Sequence, residues 1–204
     1  TRSLCDWSSD VCSSDLLKDR PDNQTLVTYV AEMLLGLGVP RRAKMELDYI
    51  RDQDPNLPGY WSIDSAVHHA LAMGSNDPQS LFEHAMASGE KAIKINPDFD
   101  GGHIGLAMAC EGLQLFDRAA QSWSKASELA EYIQRSERLK VNALRCLSLA
   151  GETNEAAEEL LNLLKNQSAP TEALLLECAL ACKRAQRKED LVEVLKRMSP
   201  ETRT

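Results

Sequence analysis

A small residue returns at one place in this chain: Ala43, Ala85, Ala119 and Ala156, with Leu191 taking the fifth position. The intervals are 42, 34, 37 and 35 residues. Each position falls in the second half of the same unit, an amphipathic helix, a short turn and a second amphipathic helix. A helical hairpin of this size cannot cover its own apolar stripe, so its neighbours must stack on it. A methyl-sized side chain held at one register marks where two helix backbones approach too closely for a larger one. A second series, Ile50, Ala92 and Ala126, follows seven residues later, and Pro55 and Pro97 close the first two copies.

Composition points the same way. Hydrophobic residues make up 43% and charged residues 26%, enough for a substantial core, while aromatics are only 5% and Ala and Leu abound. That balance favours helix over sheet, and the expected class is all-α. The formal charge of −8 lacks the basic footprint that attracts phosphate backbones, so nucleic acid is not an expected partner. Charges interrupt every greasy stretch before it reaches membrane-spanning length, and no membrane insertion is expected.

The copies carry a further pattern. One reads His103-x2-Leu106-Ala107-x2-Cys110 and then Ala119-x3-Trp123; the first reads Val27-x2-Val30-Ala31-x2-Leu34 and then Ala43-x3-Leu47. The last reads Leu175-x2-Cys178-Ala179-x2-Cys182 and then Leu191-x3-Leu195. This resembles the tetratricopeptide repeat (TPR), of period about 34 and pattern W-x2-L-G-x2-Y, A-x3-F, P. The resemblance implies a right-handed α-solenoid of about five helical hairpins within residues 17–204, roughly 22–55, 60–97, 100–131, 134–166 and 171–199. The second copy departs from it: GSNDPQ at 74–79 breaks the pattern, so a second helix over 78–95 is expected with Asp77 as cap, and a first helix from about Ser62 to Met73.

In that family the first helices of successive repeats line a concave groove. The matching positions are Thr28, Glu32 and Leu35; Ile104, Met108 and Glu111; Arg138, Val141, Arg145 and Ser148; and Leu176, Leu180, Lys183 and Arg184. The family's Lys/Asn/Arg carboxylate clamp does not line up here, so the groove carries over without that ligand. Residues 17–133 hold 10 basic and 17 acidic side chains, net −7; residues 134–204 hold 12 and 11, net +1. Arg138, Arg145, Lys183 and Arg184 are therefore candidates to anchor an acidic peptide. The expected function is a protein-interaction scaffold that binds a peptide or partner helix in the groove. The alternative is a regulatory or substrate-docking fragment of a larger multidomain protein or enzyme.

Catalysis has no positive signal. His68 and His69 are adjacent and point apart on a helix, and no His/Cys cluster has ligand spacing, so neither a metal nor another cofactor is expected. Cys178 and Cys182 share a helical face but occupy packing positions, where a free thiol acts as a small hydrophobe. The thiols lack disulfide-framework spacing, which suits a reducing, cytoplasmic setting.

The two ends stand apart from the repeats. Asp6 to Leu16, DWSSDVCSSDL, has no amphipathic period and resembles a common sequencing-library adapter translated in one frame, so residues 1–16 are set aside as a disordered artefact and the true N-terminus is expected to lie elsewhere. At the other end Leu191, Val194, Leu195 and Met198 form a stripe followed only by SPETRT. An uncapped apolar face of that kind predicts either self-association or a missing continuation in the parent protein.

Overall fold

The structure is a computed structural model and describes residues 24–51 and 56–198. Pro55, the adapter-like segment and SPETRT lie outside the described residues. Within them are ten helices and no strand: α1 (Gln24–Gly36), α2 (Pro40–Ile50), α3 (Pro58–Met73), α4 (Gln79–Ile95), α5 (Asp100–Gly112), α6 (Phe116–Leu129), α7 (Ile133–Ala150), α8 (Thr153–Lys165), α9 (Glu172–Arg184) and α10 (Lys188–Arg197).

The helices pair into hairpins through one recurring turn. Gly38, Gln114, Gly151 and Gln186 each stand five residues before the small-residue position, and all have a left-handed backbone, with φ of 75°, 60°, 116° and 58°. At each, the next amide reaches back five residues: Val39 N to Leu34 O (3.0 Å), Leu115 N to Cys110 O (2.8 Å), Glu152 N to Leu147 O (3.2 Å) and Arg187 N to Cys182 O (2.9 Å). This is a Schellman closure, which satisfies an orphan carbonyl at the helix end and reverses the chain. The α3–α4 hairpin lacks it; Gly74 there has φ −109°.

That hairpin also differs from its sequence expectation. Helix α3 begins at Pro58 rather than near Ser62, because proline at the first helical position has a preset φ and no amide to leave unsatisfied. Helix α4 starts at Gln79, with Pro78 at the cap position and no side-chain cap from Asp77. Instead the Asp77 amide donates to Ser75 Oγ, 3.1 Å away.

Two compact units divide at Ala109/Cys110. In the N-terminal unit α1 packs on both α2 and α3, and α3 on α4. Its core joins Val27, Val30, Ala31 and Leu34 to Ala43, Leu47, Ile50, Tyr60 and Val67. In the C-terminal unit α7 likewise packs on its own partner α8 and on α9, the next first helix. Leu160, Leu161 and Leu164 meet Leu174, Leu175, Cys178 and Val194 there. Full burial of a leucine such as Leu160 contributes roughly 1.5–3 kcal/mol. Helix α9 has a side-chain cap, Thr171 Oγ1 accepting from Leu174 N at 3.3 Å.

Ala43, Ala85, Ala119 and Ala156 are all 0% exposed. The C-terminal stripe needs correction: Val194 and Met198 are buried in the core, and Leu191 and Leu195 are half-buried. The large apolar side chain that α10 leaves in solvent is Val192.

Candidate functional site

Three first helices bring polar side chains to one register in the C-terminal unit. Glu111, Ser148 and Lys183 each lie eight residues before the small-residue position, and Arg145 stands one turn before Ser148. Arg145 Nη2 donates to both oxygens of Glu111, at 2.8 and 2.6 Å, and the Trp123 indole donates to the same carboxylate at 2.5 Å. Arg184 Nη1 donates to Ser148 Oγ at 3.3 Å. Glu177 completes the set. Burial raises its pKa, Arg145 and Arg184 oppose that rise, and Glu111 reinforces it. The signs thus alternate: Glu111, Arg145, Glu177, Arg184.

The structure distributes the sequence candidates unevenly. It brings Glu111 and Arg145 together as an ion pair, so the Arg145 charge is directed at Glu111. Arg138, Lys183 and Arg184 are exposed. Val141 and Leu180 are half-buried and Leu176 is exposed. In the N-terminal unit Glu32 is exposed, while Leu35, Ile104 and Met108 are half-buried. Thr28 and Ser148 are corrections, because both are buried and unavailable as lining. Glu177 was missed. Its only signal in the sequence is a charge set inside the buried run Leu174-Leu175-x-x-Cys178-Ala179, and a charge there needs cations from elsewhere in the fold.

A second polar cluster is buried in the N-terminal unit. Asp64 and His68 are one turn apart on α3, with His68 Nδ1 3.3 Å from Asp64 Oδ2 and 2.8 Å from the Asp64 carbonyl. Ser88 of α4 donates to the same carboxylate oxygen at 2.6 Å, and Ser65 donates to the Ala85 carbonyl at 2.7 Å. The His84 ring stacks on His68 with centroids 5.5 Å apart. Burial alone would raise the Asp64 pKa, but the hydrogen bonds from His68 and Ser88 outweigh it and hold the carboxyl below its ordinary value. For His68, burial pulls the pKa down and Asp64 more than restores it, leaving the imidazole above its ordinary value.

Serine, histidine and aspartate meet here, but not in relay order. Ser88 and His68 both address the carboxylate, whereas a nucleophilic triad places the imidazole between the other two. The cluster ties α3 to α4. Burial also raises the thiol pKa of Cys146 and of Cys178 to about 12, which disfavours reactive thiolate.

Open surface concavities among the described residues include two of several hundred Å³. One of about 610 Å³ is lined by Gly38 to Arg42, Ala70, Leu71, Gly74, Ser75 and Leu81. Another of about 490 Å³ lies between α6, α7 and α8 and includes Lys125, Lys140 and Glu159. Neither includes any of the eight leading groove candidates, Glu32, Ile104, Met108, Glu111, Arg138, Arg145, Lys183 and Arg184. Among the described residues no group of three His, Cys, Asp or Glu side chains could hold a metal ion, and no helix is long and apolar enough to cross a membrane.

No protein-family model and no curated protein matches the chain. Solved structures do. A thermophilic TPR protein of Thermus thermophilus matches with TM-score 0.67 and 20% identity, over 84% of this chain and 87% of that one. YrrB, a TPR protein with an unusual peptide-binding site, matches with TM-score 0.64 and 15% identity, over 90% of this chain and 89% of that one. At these identities the likeness speaks for the backbone: this chain has the all-α, hairpin-repeat fold of tetratricopeptide-repeat proteins, an α-solenoid class.

Proposed function

We propose that this chain is a protein-interaction scaffold whose first-helix face in the C-terminal unit docks an acidic peptide segment. One observation carries the reading. Lys183 and Arg184 stand exposed in the last turn of α9, on the helix that also offers Leu176 and Leu180, while the carboxylate of Glu111 is engaged by Arg145 and Trp123. Peptide carboxylates would thus meet cations at α9 beside an apolar strip for intervening side chains. Arg138, exposed on α7, adds positive charge to the same unit. The fold likeness to YrrB, whose peptide-binding site is its own, supports peptide docking as a use of this architecture.

Fluorescence anisotropy with labelled acidic and basic 12-residue peptide libraries tests this. Acidic peptides should bind preferentially and weaken with salt. Reversing both charges, Lys183→Glu with Arg184→Glu, should lower affinity by about tenfold or more, since each exposed pair is worth roughly 0.2–1 kcal/mol and reversal also adds repulsion. Equal binding of both libraries, or affinity unmoved by the double reversal, would overturn the reading.

A further inference from the structure

The furrow of about 490 Å³ in the C-terminal unit has α6 and α8 as walls and α7, which packs against both, as its floor. That floor is apolar: Ala143, Leu144 and Leu147 of α7, continued by Ala120 on the α6 wall. The corresponding furrow between α8 and α10 holds a cavity of about 30 Å³. Register explains the difference. Five residues after the small-residue position α8 carries Leu161, which lines its furrow and is buried, whereas α6 carries Ser124, which lines the wider one and is exposed. A serine thus leaves open the volume that a leucine fills in the next furrow.

The rim sets four carboxylates, Asp117, Glu128, Glu155 and Glu159, against two lysines, and both lysines are already engaged. Lys140 Nζ lies 3.1 Å from Glu159 Oε2, and Lys125 Nζ lies 3.1 Å from Glu128 Oε2. Asp117 and Glu155 stand exposed in the first turns of α6 and α8, with no lysine or arginine partner among the described residues. The furrow therefore offers apolar contact and unmatched negative charge, which suits a basic ligand and repels the phosphates of nucleic acid or anionic lipid. From Asp117 to Glu128 the α6 wall runs about 16 Å at about 1.5 Å per residue. About five residues of extended chain span that length.

We propose that this furrow is a second docking surface, which takes a basic segment of a partner protein carrying an aliphatic side chain beside a lysine or arginine. The aliphatic group seats over Ala143 and Leu147 in the space beside Ser124, and the cation meets Asp117 and Glu155. This surface is built on second helices and selects positive charge, whereas the first-helix site at α9 selects negative charge.

Fluorescence anisotropy of the full chain with labelled peptides of about eight residues tests the inference, with circular dichroism as the check on folding. One peptide alternates leucine with lysine, a second serine with lysine, and a third leucine with glutamate. The leucine-lysine peptide should bind, and the serine-lysine peptide should bind at least about tenfold more weakly for want of apolar contact. Ser124→Leu, at an exposed position, should fill the furrow and lower leucine-lysine affinity about tenfold. Asp117→Lys with Glu155→Lys should lower it by about as much through charge. Ser124→Leu should leave the leucine-glutamate peptide unaffected, and Lys183→Glu with Arg184→Glu should not weaken the leucine-lysine peptide, so this surface and the α9 site stand or fall separately. Absence of leucine-lysine binding would overturn the inference, as would equal binding of the serine-lysine peptide, which marks attraction to an acidic protein alone. So would leucine-lysine affinity unmoved by Ser124→Leu or by the Asp117 and Glu155 reversal, or equal weakening of the leucine-lysine and leucine-glutamate peptides by Ser124→Leu.

Discussion

At the residue scale, the four left-handed turn positions are filled twice by glycine and twice by glutamine. Gly38 and Gly151 adopt their φ without steric cost, whereas Gln114 and Gln186 hold a Cβ against the following carbonyl. Gln114→Gly and Gln186→Gly should each stabilise the fold by about 0.5–1 kcal/mol, because relief of that clash exceeds the added freedom of the unfolded chain. Gly151→Ala should destabilise by a similar amount. Urea midpoints at constant m measure all three. The turn lies five residues before each small side chain, so the register was legible in the sequence. Its left-handed backbone was not, since glutamine gives no hint of φ.

At the element scale, Gly89 is the informative departure. It stands four residues after Ala85, where the other hairpins place Leu47, Trp123, Leu160 and Leu195. A Cβ there would fall 2.7 Å from the Leu106 amide nitrogen and 2.9 Å from its Cα, so α5 backbone occupies the space that a side chain fills elsewhere. Alanine in a helix normally gains about 1 kcal/mol over glycine. Here Gly89→Ala should instead cost about 1–3 kcal/mol, as overpacking against backbone that cannot yield. Ala119→Leu and Ala156→Leu should lose about as much, since both alanines are fully buried. Thermal denaturation compared with an exposed control, Ala87→Leu, separates the packing effect from propensity.

At the scale of the whole molecule, stability resides in nearest-neighbour contacts, and the polar cluster of α3 and α4 gives one unit a pH signature. His68, with its folded pKa raised, contributes stability that is fully present below about pH 6.5 and is lost as pH rises through the raised value. Asp64, with its folded pKa lowered, contributes stability that is present above about pH 3.9 and is lost as pH falls through the lowered value. The pair therefore stabilises most between about pH 4 and 6.5. His68→Asn should cost roughly 1–3 kcal/mol at pH 6 and flatten the decline toward pH 8. Trp61 lies on α3 beside the cluster, with Lys91 Nζ of α4 3.4 Å over its ring, and Trp123 lies in the other unit. Single-tryptophan variants followed by fluorescence in urea should show the pH dependence in the Trp61 transition. Equal dependence at Trp123 would assign it elsewhere.

The sequence by itself determined the helical class, the hairpin repeat and the small-residue register, because burial of amphipathic stripes is a local periodicity that any stacked arrangement must satisfy. The tetratricopeptide resemblance, applied to that register, implied a shared first-helix face for Glu111, Arg145, Lys183 and Arg184. Only the tertiary structure decided that Glu111 and Arg145 pair with each other, that Glu177 joins them, and that Thr28 and Ser148 are covered. It also decided that the second hairpin carries Asp64, His68 and Ser88 inside its packing. Those outcomes depend on which helix lies opposite which, because polar groups 24 or 34 residues apart are brought together only by the packing of their helices.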